Sequence, residues 1–207
     1  MPLENLKISP NRVWALWKIT EDRGSLAHLV HPHETVSPEL TNPNKVLEFL
    51  SSRALLKTLL EKWDIPFEGL IKDEAGKPFF FFFSFHISLS HSYPYVAAVI
   101  DKEKSVGIDL EQPKDKLLRI GPRVLNPVEL ADAGENITKH CIYWCAKETL
   151  IKIYGKRHLH LANELSVEPF ILTQKGTLSG SIIADNTIRN YRMDYQVYDN
   201  FVVVLNQ

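Results

Sequence analysis

The stretch KHCIYWCAKETLIKIYG, residues 139–155, decides the fold because it predicts the major helix of the second half of the chain. One face of a helix drawn through it is apolar and carries Ile142, Ala146, Thr149, Leu150 and Ile153. Side chains at this spacing lie on one side of a helix and are typical of a surface helix packed on a core. Glycine favours the position after a helix, so Gly155 ends the pattern. We predict a half-buried helix from about Lys139 to Tyr154.

The opposite face of this helix carries Trp144, Glu148 and Lys152, with Lys147 beside them. A glutamate four residues before a lysine is commonly a surface ion pair that stabilises a helix by about 0.2–0.5 kcal/mol. The tryptophan argues against that simple interpretation, because a large ring on the face away from the core usually covers something. The face is therefore a candidate functional site as well as a candidate solvated surface.

Two acids lie two residues apart in SVGIDLE, residues 105–111, at Asp109 and Glu111. Residues i and i+2 of a strand point to the same side, so the carboxylates repel each other unless a positive charge lies nearby. Hard oxygen ligands of this kind suit Mg²⁺, which prefers one or two carboxylates together with phosphates and water. The sequence has no glycine-rich phosphate loop, so a bound nucleotide would be held by separate basic side chains and a metal ion.

Glu129 is a third candidate ligand, and it also has a simpler explanation. It is the last residue of Asn126-Pro127-Val128-Glu129, which has the order of a helix cap, a first-turn proline and a capping-box glutamate. That capping role alone accounts for Glu129. A helix-start carboxylate near the Asp109 pair would equally suit a pyrophosphate–metal site.

The composition places the chain among ordinary globular proteins. It has 207 residues, of which 44% are hydrophobic, and a formal charge of −1, so no global basic field favours nucleic acid or an anionic membrane. No apolar run approaches the roughly 20 residues that span a bilayer, and no basic-then-apolar leader begins the chain, so we expect a cytoplasmic protein. Cys141 and Cys145 make a poor zinc site without further ligands, and we expect buried thiols.

The other elements are predicted from apolar patterning. In the first half these are a strand over residues 12–20 and a helix from about Asn44 to Trp63, with Arg53 and Lys57 on its polar face. The unbroken phenylalanine run at residues 79–83 predicts a segment covered on both faces or a tight crossover, and its simplest interpretation is core filler. Residues 87–100 and 105–111 predict a hairpin. The tail predicts strands over residues 167–173, 177–183, 191–198 and 201–205.

The order of these elements indicates an α+β fold with two pseudo-symmetric halves. Each half has one major helix packed on a small, mostly antiparallel sheet. We place the halves at residues 1–103 and 104–207 and expect them to form one functional unit with the site between them.

Several motifs resemble those of the 4′-phosphopantetheinyl transferase family, in its larger monomeric form with two pseudo-symmetric halves. The paired signature G-[IV]-D-x-E and W-x-x-K-E-x-x-x-K is filled by Gly107, Ile108, Asp109 and Glu111, and then by Trp144, Lys147, Glu148 and Lys152. Upstream, Gly76-Lys77-Pro78 and Ser90-His91-Ser92 match two further family motifs. Where the family often has a lysine flanked by glycines, the chain has Lys156 after Gly155.

The resemblance implies Mg²⁺-dependent transfer, with Mn²⁺ as an alternative metal, of the 4′-phosphopantetheine arm of coenzyme A to a serine of an apo acyl or peptidyl carrier protein. It implies metal ligation by Asp109, Glu111 and Glu129. Glu148 would be the base, Lys152 would contact the pyrophosphate, and Ser90 with His91 would contact the 3′-phosphate of coenzyme A. Arg53 and Lys77 are two further implied phosphate contacts, and Lys147 is an implied contact of coenzyme A.

The resemblance further implies a holo-[acyl-carrier-protein] synthase activity in a monomer, with neither nucleic acid nor membrane as partner. Two alternatives stay open. One is a coenzyme A or carrier-protein binding module that has lost catalysis, and the other is a phosphotransferase that uses a nucleoside triphosphate. The missing phosphate loop counts against the second.

Overall fold

Two antiparallel sheets, each accompanied by an 18-residue helix, organise the chain, and the α+β class predicted from the sequence is confirmed. The computed structural model describes residues 3–74, 76–155 and 159–207. The chain divides into the units Met1–Val106 and Gly107–Gln207. The prediction that the halves form one functional unit stays a prediction.

The elements of the first unit are β1 Leu3–Ile8, β2 Arg12–Lys18, α1 Arg23–Leu29, α2 Pro43–Leu60, a 3₁₀ turn Glu61–Trp63, β3 Leu70–Lys72, β4 Pro78–Phe80, β5 His86–Ser92 and β6 Tyr95–Asp101. In the described part of this unit, four strands form one sheet in the order β1-β2-β6-β5, and β3 pairs with β4. All of these pairings are antiparallel. The predicted strand and helix correspond to β2 and to α2 with its 3₁₀ extension.

The core of the first unit lies between α2 and this sheet. Alternate residues of β2 and β6 point toward the helix, because side chains alternate across a strand. The buried cluster includes Val13, Ala15 and Trp17 of β2, Val96, Ala98 and Ile100 of β6, and Leu50, Leu55, Leu56 and Leu59 of α2. The apolar stripe read from the sequence therefore marks the buried face of α2.

The phenylalanine run is not the core filler that the sequence predicted. Phe80 is 3% exposed, but Phe81 and Phe82 are 64% and 67% exposed. Strand β4 ends at Phe80, and alternation along it turns the neighbouring Phe79 away from the core. A short strand in a two-stranded sheet covers one face only, so the prediction of burial on both faces was wrong.

The predicted hairpin between residues 87–100 and 105–111 was also wrong. Residues 86–101 form a hairpin by themselves, β5–β6, with a turn at Tyr93-Pro94. Proline lacks the amide hydrogen that a strand ladder uses, which favours a turn there. Residues 108–111 instead pair with the last strand of the chain.

The elements of the second unit are β7 Ile108–Glu111, α3 Lys116–Val124, α4 Pro127–Ala133, α5 Ile137–Tyr154, α6 Leu161–Glu164, β8 Leu165–Val167, β9 Lys175–Ala184, β10 Thr187–Val197 and β11 Val202–Asn206. Its described strands form an antiparallel sheet in the order β7-β11-β10-β9-β8. The predicted strand at 167–173 is largely irregular, because β8 ends at Val167. The other three tail strands are present.

Helix α5 ends at Tyr154, as its sequence predicts, and begins at Ile137, slightly before the predicted start at Lys139. The Asn136 side chain accepts a hydrogen bond from the Lys139 amide at the N-terminus. Gly155 follows the last turn with φ 73°, a left-handed conformation that glycine adopts without a steric penalty. The predicted apolar face is buried against the sheet, and helix α4 has the predicted capping box between Asn126 and Glu129.

Neither α2 nor α5, nor any other helix in the described ranges, combines the length and apolar character needed to cross a membrane.

Gly107 sets the distance between α5 and the start of β7. A Cβ at this position would meet the Thr149 carbonyl oxygen of α5 well inside contact distance, and the Ile153 side chain at 2.9 Å. Its backbone is also held by Asn206, whose side chain accepts from the Gly107 amide at 2.9 Å. The helix therefore packs on the strand at a separation that only glycine permits.

We predict that Gly107→Ala lowers the free energy of unfolding by about 1–3 kcal/mol, because the added methyl group forces the backbone of α5 away from residue 107. Urea unfolding followed by circular dichroism measures the change. Gly24→Ala is the matched control, since its Cβ would meet only the Asp22 side chain at 3.2 Å. Equal stabilities for the two variants would contradict this account of the packing.

Candidate active site

The strand–helix contact brings together Asp109 of β7 and Lys152 of α5. Lys152 Nζ lies 2.7 Å from Asp109 Oδ1 and donates to the Ile108 carbonyl oxygen at 2.8 Å. The Asp109 side chain is 9% exposed and that of Lys152 is 25% exposed. The positive charge that the sequence required beside Asp109 is therefore supplied, in this structure, by a lysine of the predicted helix.

Glu148 is the third member of this cluster. Burial raises the pKa of its carboxyl, the negative charge of Asp109 raises it further, and Lys152 opposes both. A carboxylate whose pKa is moved toward neutrality is a better proton acceptor than an ordinary glutamate. Trp144, Glu148 and Lys152 are all half-buried, as expected for the face that the sequence separated from the core.

Glu111 lies on the same strand and has its own lysine. Lys116 Nζ, at the start of α3, is 2.8 Å from Glu111 Oε2. The Glu111 side chain is 18% exposed, so it stays accessible to solvent. The structure thus neutralises each acid of the Asp109–Glu111 pair separately, and sequence reasoning missed Lys116.

The residues at this strand end fit a magnesium ion by the chemistry of their donors. Asp109 and Glu111 supply two hard carboxylates, and phosphates and water complete such a site when a substrate is bound. Among the described residues, no group of three or more His, Cys, Asp or Glu side chains is placed to hold a metal by itself. A site completed by substrate needs no such group.

Lys147 is not on the half-buried face where the sequence placed it. Its side chain is fully buried, and Nζ donates to the carbonyl oxygens of Val124, Leu161 and Leu165 at 2.7–3.0 Å. A long side chain near the edge of a helix's apolar face can turn inward when acceptors for all its protons converge there. The assignment of Lys147 to coenzyme A stays a prediction.

Glu129 is the counter-charge of Lys147. The two side chains are 2.6 Å apart and both fully buried. Its other oxygen accepts from the Val167 amide at 2.8 Å, while the capping contact to the Asn126 amide is also present at 2.8 Å. Burial lowers the pKa of Lys147, and the bond to Glu129 opposes this. This ion pair and the helix cap together explain the position of Glu129 without a metal ion. The role of Glu129 as a metal ligand stays a prediction.

Arg53 in the first unit is buried rather than on the polar face predicted for it. It is 9% exposed, its Nε lies 3.1 Å from Glu34 Oε2, and its guanidinium lies 3.9 Å from the Phe49 ring centre. Burial lowers its pKa, and the charge of Glu34 opposes this. An acid 19 residues away provides the partner, which no helical spacing could reveal. Its contact with coenzyme A stays a prediction.

Ser90 and His91 lie on β5, with Ser90 6% exposed and the His91 side chain 46% exposed. His91 Nδ1 is 3.1 Å from Glu48 Oε2. Sequence reasoning missed Glu48, and its spacing of three residues from Lys45 was the available signal, since the two form an ion pair of 2.7 Å.

Lys77 is half-buried, and burial lowers its pKa, while the charge of Asp73 opposes this. Lys156 lies outside the described residues.

We predict that Glu129→Gln lowers the free energy of unfolding by about 3–5 kcal/mol, because it leaves the buried Lys147 ammonium without its counter-charge. Chemical unfolding at pH 7 measures this. Glu4→Gln breaks an exposed pair with Lys18 and serves as control, with an expected loss below about 1 kcal/mol. Loss of activity at unchanged stability would contradict the structural role and favour metal ligation.

Glu48 should make stability depend on acid pH. Burial raises its pKa, but bonds from His91 and Lys45 outweigh burial and lower it from 4.5 to about 2. A carboxyl whose folded pKa is depressed stabilises the fold above the unfolded pKa, and this contribution is lost as pH falls toward the folded value. We therefore expect the difference in unfolding free energy between the unaltered protein and Glu48→Gln to shrink from about pH 5 to about pH 3, a range that brackets the pKa of glutamate in an unfolded chain. Unfolding free energies are measured by urea titration at each pH, and curves that stay parallel for the two proteins would disprove this prediction.

The second unit of the chain is similar to known proteins. The 4′-phosphopantetheinyl transferase superfamily matches residues 105–205, which include β7 and α5. A relative from Haemophilus influenzae, described as a "Putative 4'-phosphopantetheinyl transferase", is 30% identical over 100 residues. That match spans 44% of this chain and 43% of the relative, so the chain covers less than half of the relative's length. The resemblance found in the motifs is therefore confirmed over residues 105–205, just under half of the chain, which match the 4′-phosphopantetheinyl transferase superfamily.

Proposed function

We propose that the protein transfers 4′-phosphopantetheine from coenzyme A to a serine of an apo acyl or peptidyl carrier protein and releases adenosine 3′,5′-bisphosphate. The observation that carries this proposal is the cluster of Asp109, Glu148 and Lys152, which lies within the residues matched by the superfamily. We further propose that the enzyme is a cytoplasmic monomer of the holo-[acyl-carrier-protein] synthase class.

Mg²⁺, or Mn²⁺ in its place, would be held by Asp109 and Glu111. When bound, it would neutralise the pyrophosphate and the charge that develops on the leaving phosphate. Each of the two carboxylates lies beside a lysine that balances its charge, and carboxylate oxygens are the hard ligands that this cation prefers. Glu129 would complete the proposed metal set, although its cap and ion pair by themselves explain its position.

Glu148 would accept the proton of the carrier serine. The serine oxygen attacks the phosphorus that bears the pantetheine arm, the new Ser Oγ–P bond forms, and the bridging P–O bond to the adenosine phosphate breaks. Glu148 suits this step because burial and Asp109 raise its pKa. Lys152 would meet the pyrophosphate while it remains in contact with Asp109.

The remaining proposed contacts are those of the nucleotide. Ser90 and His91 would bind the 3′-phosphate of coenzyme A, and Lys77 is a further phosphate contact. Arg53 and Lys147 complete the proposed set, and both would have to reach coenzyme A from positions where they already have partners in the interior.

Transfer is tested by incubating the purified chain with coenzyme A, Mg²⁺ and a panel of apo carrier proteins, followed by mass spectrometry. We expect a mass gain of one phosphopantetheine on at least one carrier. Asp109→Ala and Glu148→Ala should each lower the transfer rate by about 100-fold or more, because one removes a metal ligand and the other the base.

Glu135→Ala is the matched control, since Glu135 is an exposed carboxylate of the same unit. It should leave the rate unchanged. Full activity in both Asp109→Ala and Glu148→Ala would contradict the site. Coenzyme A binding without transfer to any carrier would favour a binding module, and turnover of ATP without a carrier would favour a different phosphotransferase.

A further inference from the structure

A single buried carboxylate holds two basic side chains of the first unit. Glu48, on α2, is 2% exposed, and its Oε2 lies 2.7 Å from Lys45 Nζ and 3.1 Å from His91 Nδ1. Its other oxygen, Oε1, accepts from the Tyr93 amide at 2.8 Å. The carboxylate is thus fixed from three directions, by its own helix, by β5 and by the turn that follows β5.

This geometry determines how the imidazole of His91 is presented. Nδ1 is the ring nitrogen that faces Glu48, and Nε2 lies on the opposite side of the ring. The His91 side chain is 46% exposed although the carboxylate behind it is buried. A histidine whose one nitrogen is paired with a carboxylate has a fixed ring orientation.

We propose that Glu48 is a positioning residue that orients His91 toward the 3′-phosphate of coenzyme A. This inference rests on the proposed function, which assigns that phosphate to His91. Glu48 touches no substrate in this role. It acts through His91, by holding Nδ1 so that Nε2 meets the phosphate.

The test compares coenzyme A with 3′-dephospho-coenzyme A, which lacks the phosphate in question. For each variant, the ratio of kcat/KM for the two substrates measures how strongly the 3′-phosphate is recognised. Glu48→Gln preserves shape but removes charge, and we expect it to reduce this ratio about tenfold, the size of one charge-assisted hydrogen bond. His91→Ala should reduce the ratio at least as much, and the double variant should be no worse than His91→Ala alone.

Asp101→Asn is the matched control. Asp101 is 4% exposed and pairs with Arg12 at 2.7 Å, so its loss removes a buried ion pair of the same unit. It should leave the ratio unchanged even if stability falls. Additive effects of Glu48→Gln and His91→Ala, or equal losses for both substrates, would overturn the proposal.

Two further measurements keep the inference separate from the proposed function. Binding of adenosine 3′,5′-bisphosphate and of adenosine 5′-monophosphate, by calorimetry, needs no catalysis. If the protein prefers the bisphosphate and Glu48→Gln loses this preference, the positioning role of Glu48 is supported even if no carrier is modified. If transfer occurs but the kcat/KM ratio is the same in Glu48→Gln, the positioning role is overturned and the proposed function is not. If Glu48→Gln does not fold, nitrogen NMR of His91 in the unaltered protein decides, since an Nδ1 without a bound proton would refute the pairing.

Discussion

The second unit depends on the ion pair and hydrogen bonds that the buried Lys147 ammonium makes. Its partners come from four elements around α5: Glu129 of α4, and carbonyl groups of α3, α6 and β8. A charge removed from water costs several kcal/mol unless its protons are all bonded and a counter-charge is present, and here both conditions are met. These contacts therefore hold the four elements against α5 and fix the rotation of α5 about its own axis.

That rotation decides what the neighbouring residue can do. Glu148 follows Lys147 directly, so turning Lys147 into the interior places Glu148 about 100° further round the helix, on the half-buried face toward Asp109. Gly107 then lets the helix approach the strand closely enough for Lys152 to reach Asp109. A buried structural charge, Lys147, and two candidate catalytic charges, Glu148 and Lys152, thus lie within a few residues of one helix and on different faces of it.

Local patterns predicted much of the fold. Helix α5 with its capping glycine, helix α2, strand β2 and three tail strands all follow from apolar periodicity and turn residues, which act within a few positions of each other. The phenylalanine run and the hairpin at residues 87–111 were predicted wrongly. In both cases the outcome depended on which strand lay alongside, and composition alone does not specify a distant partner.

The sequence by itself determined the class of fold, the candidate Asp109, Glu111, Glu148 and Lys152, and the family resemblance that residues 105–205 bear out. Only the tertiary structure decided which charges are buried. It turned Lys147 and Arg53 inward, gave Glu111 the partner Lys116, and placed Glu48 behind His91. The physical reason is that periodicity reports the side of an element, whereas the free energy of a charge depends on partners that chain folding brings from far along the sequence.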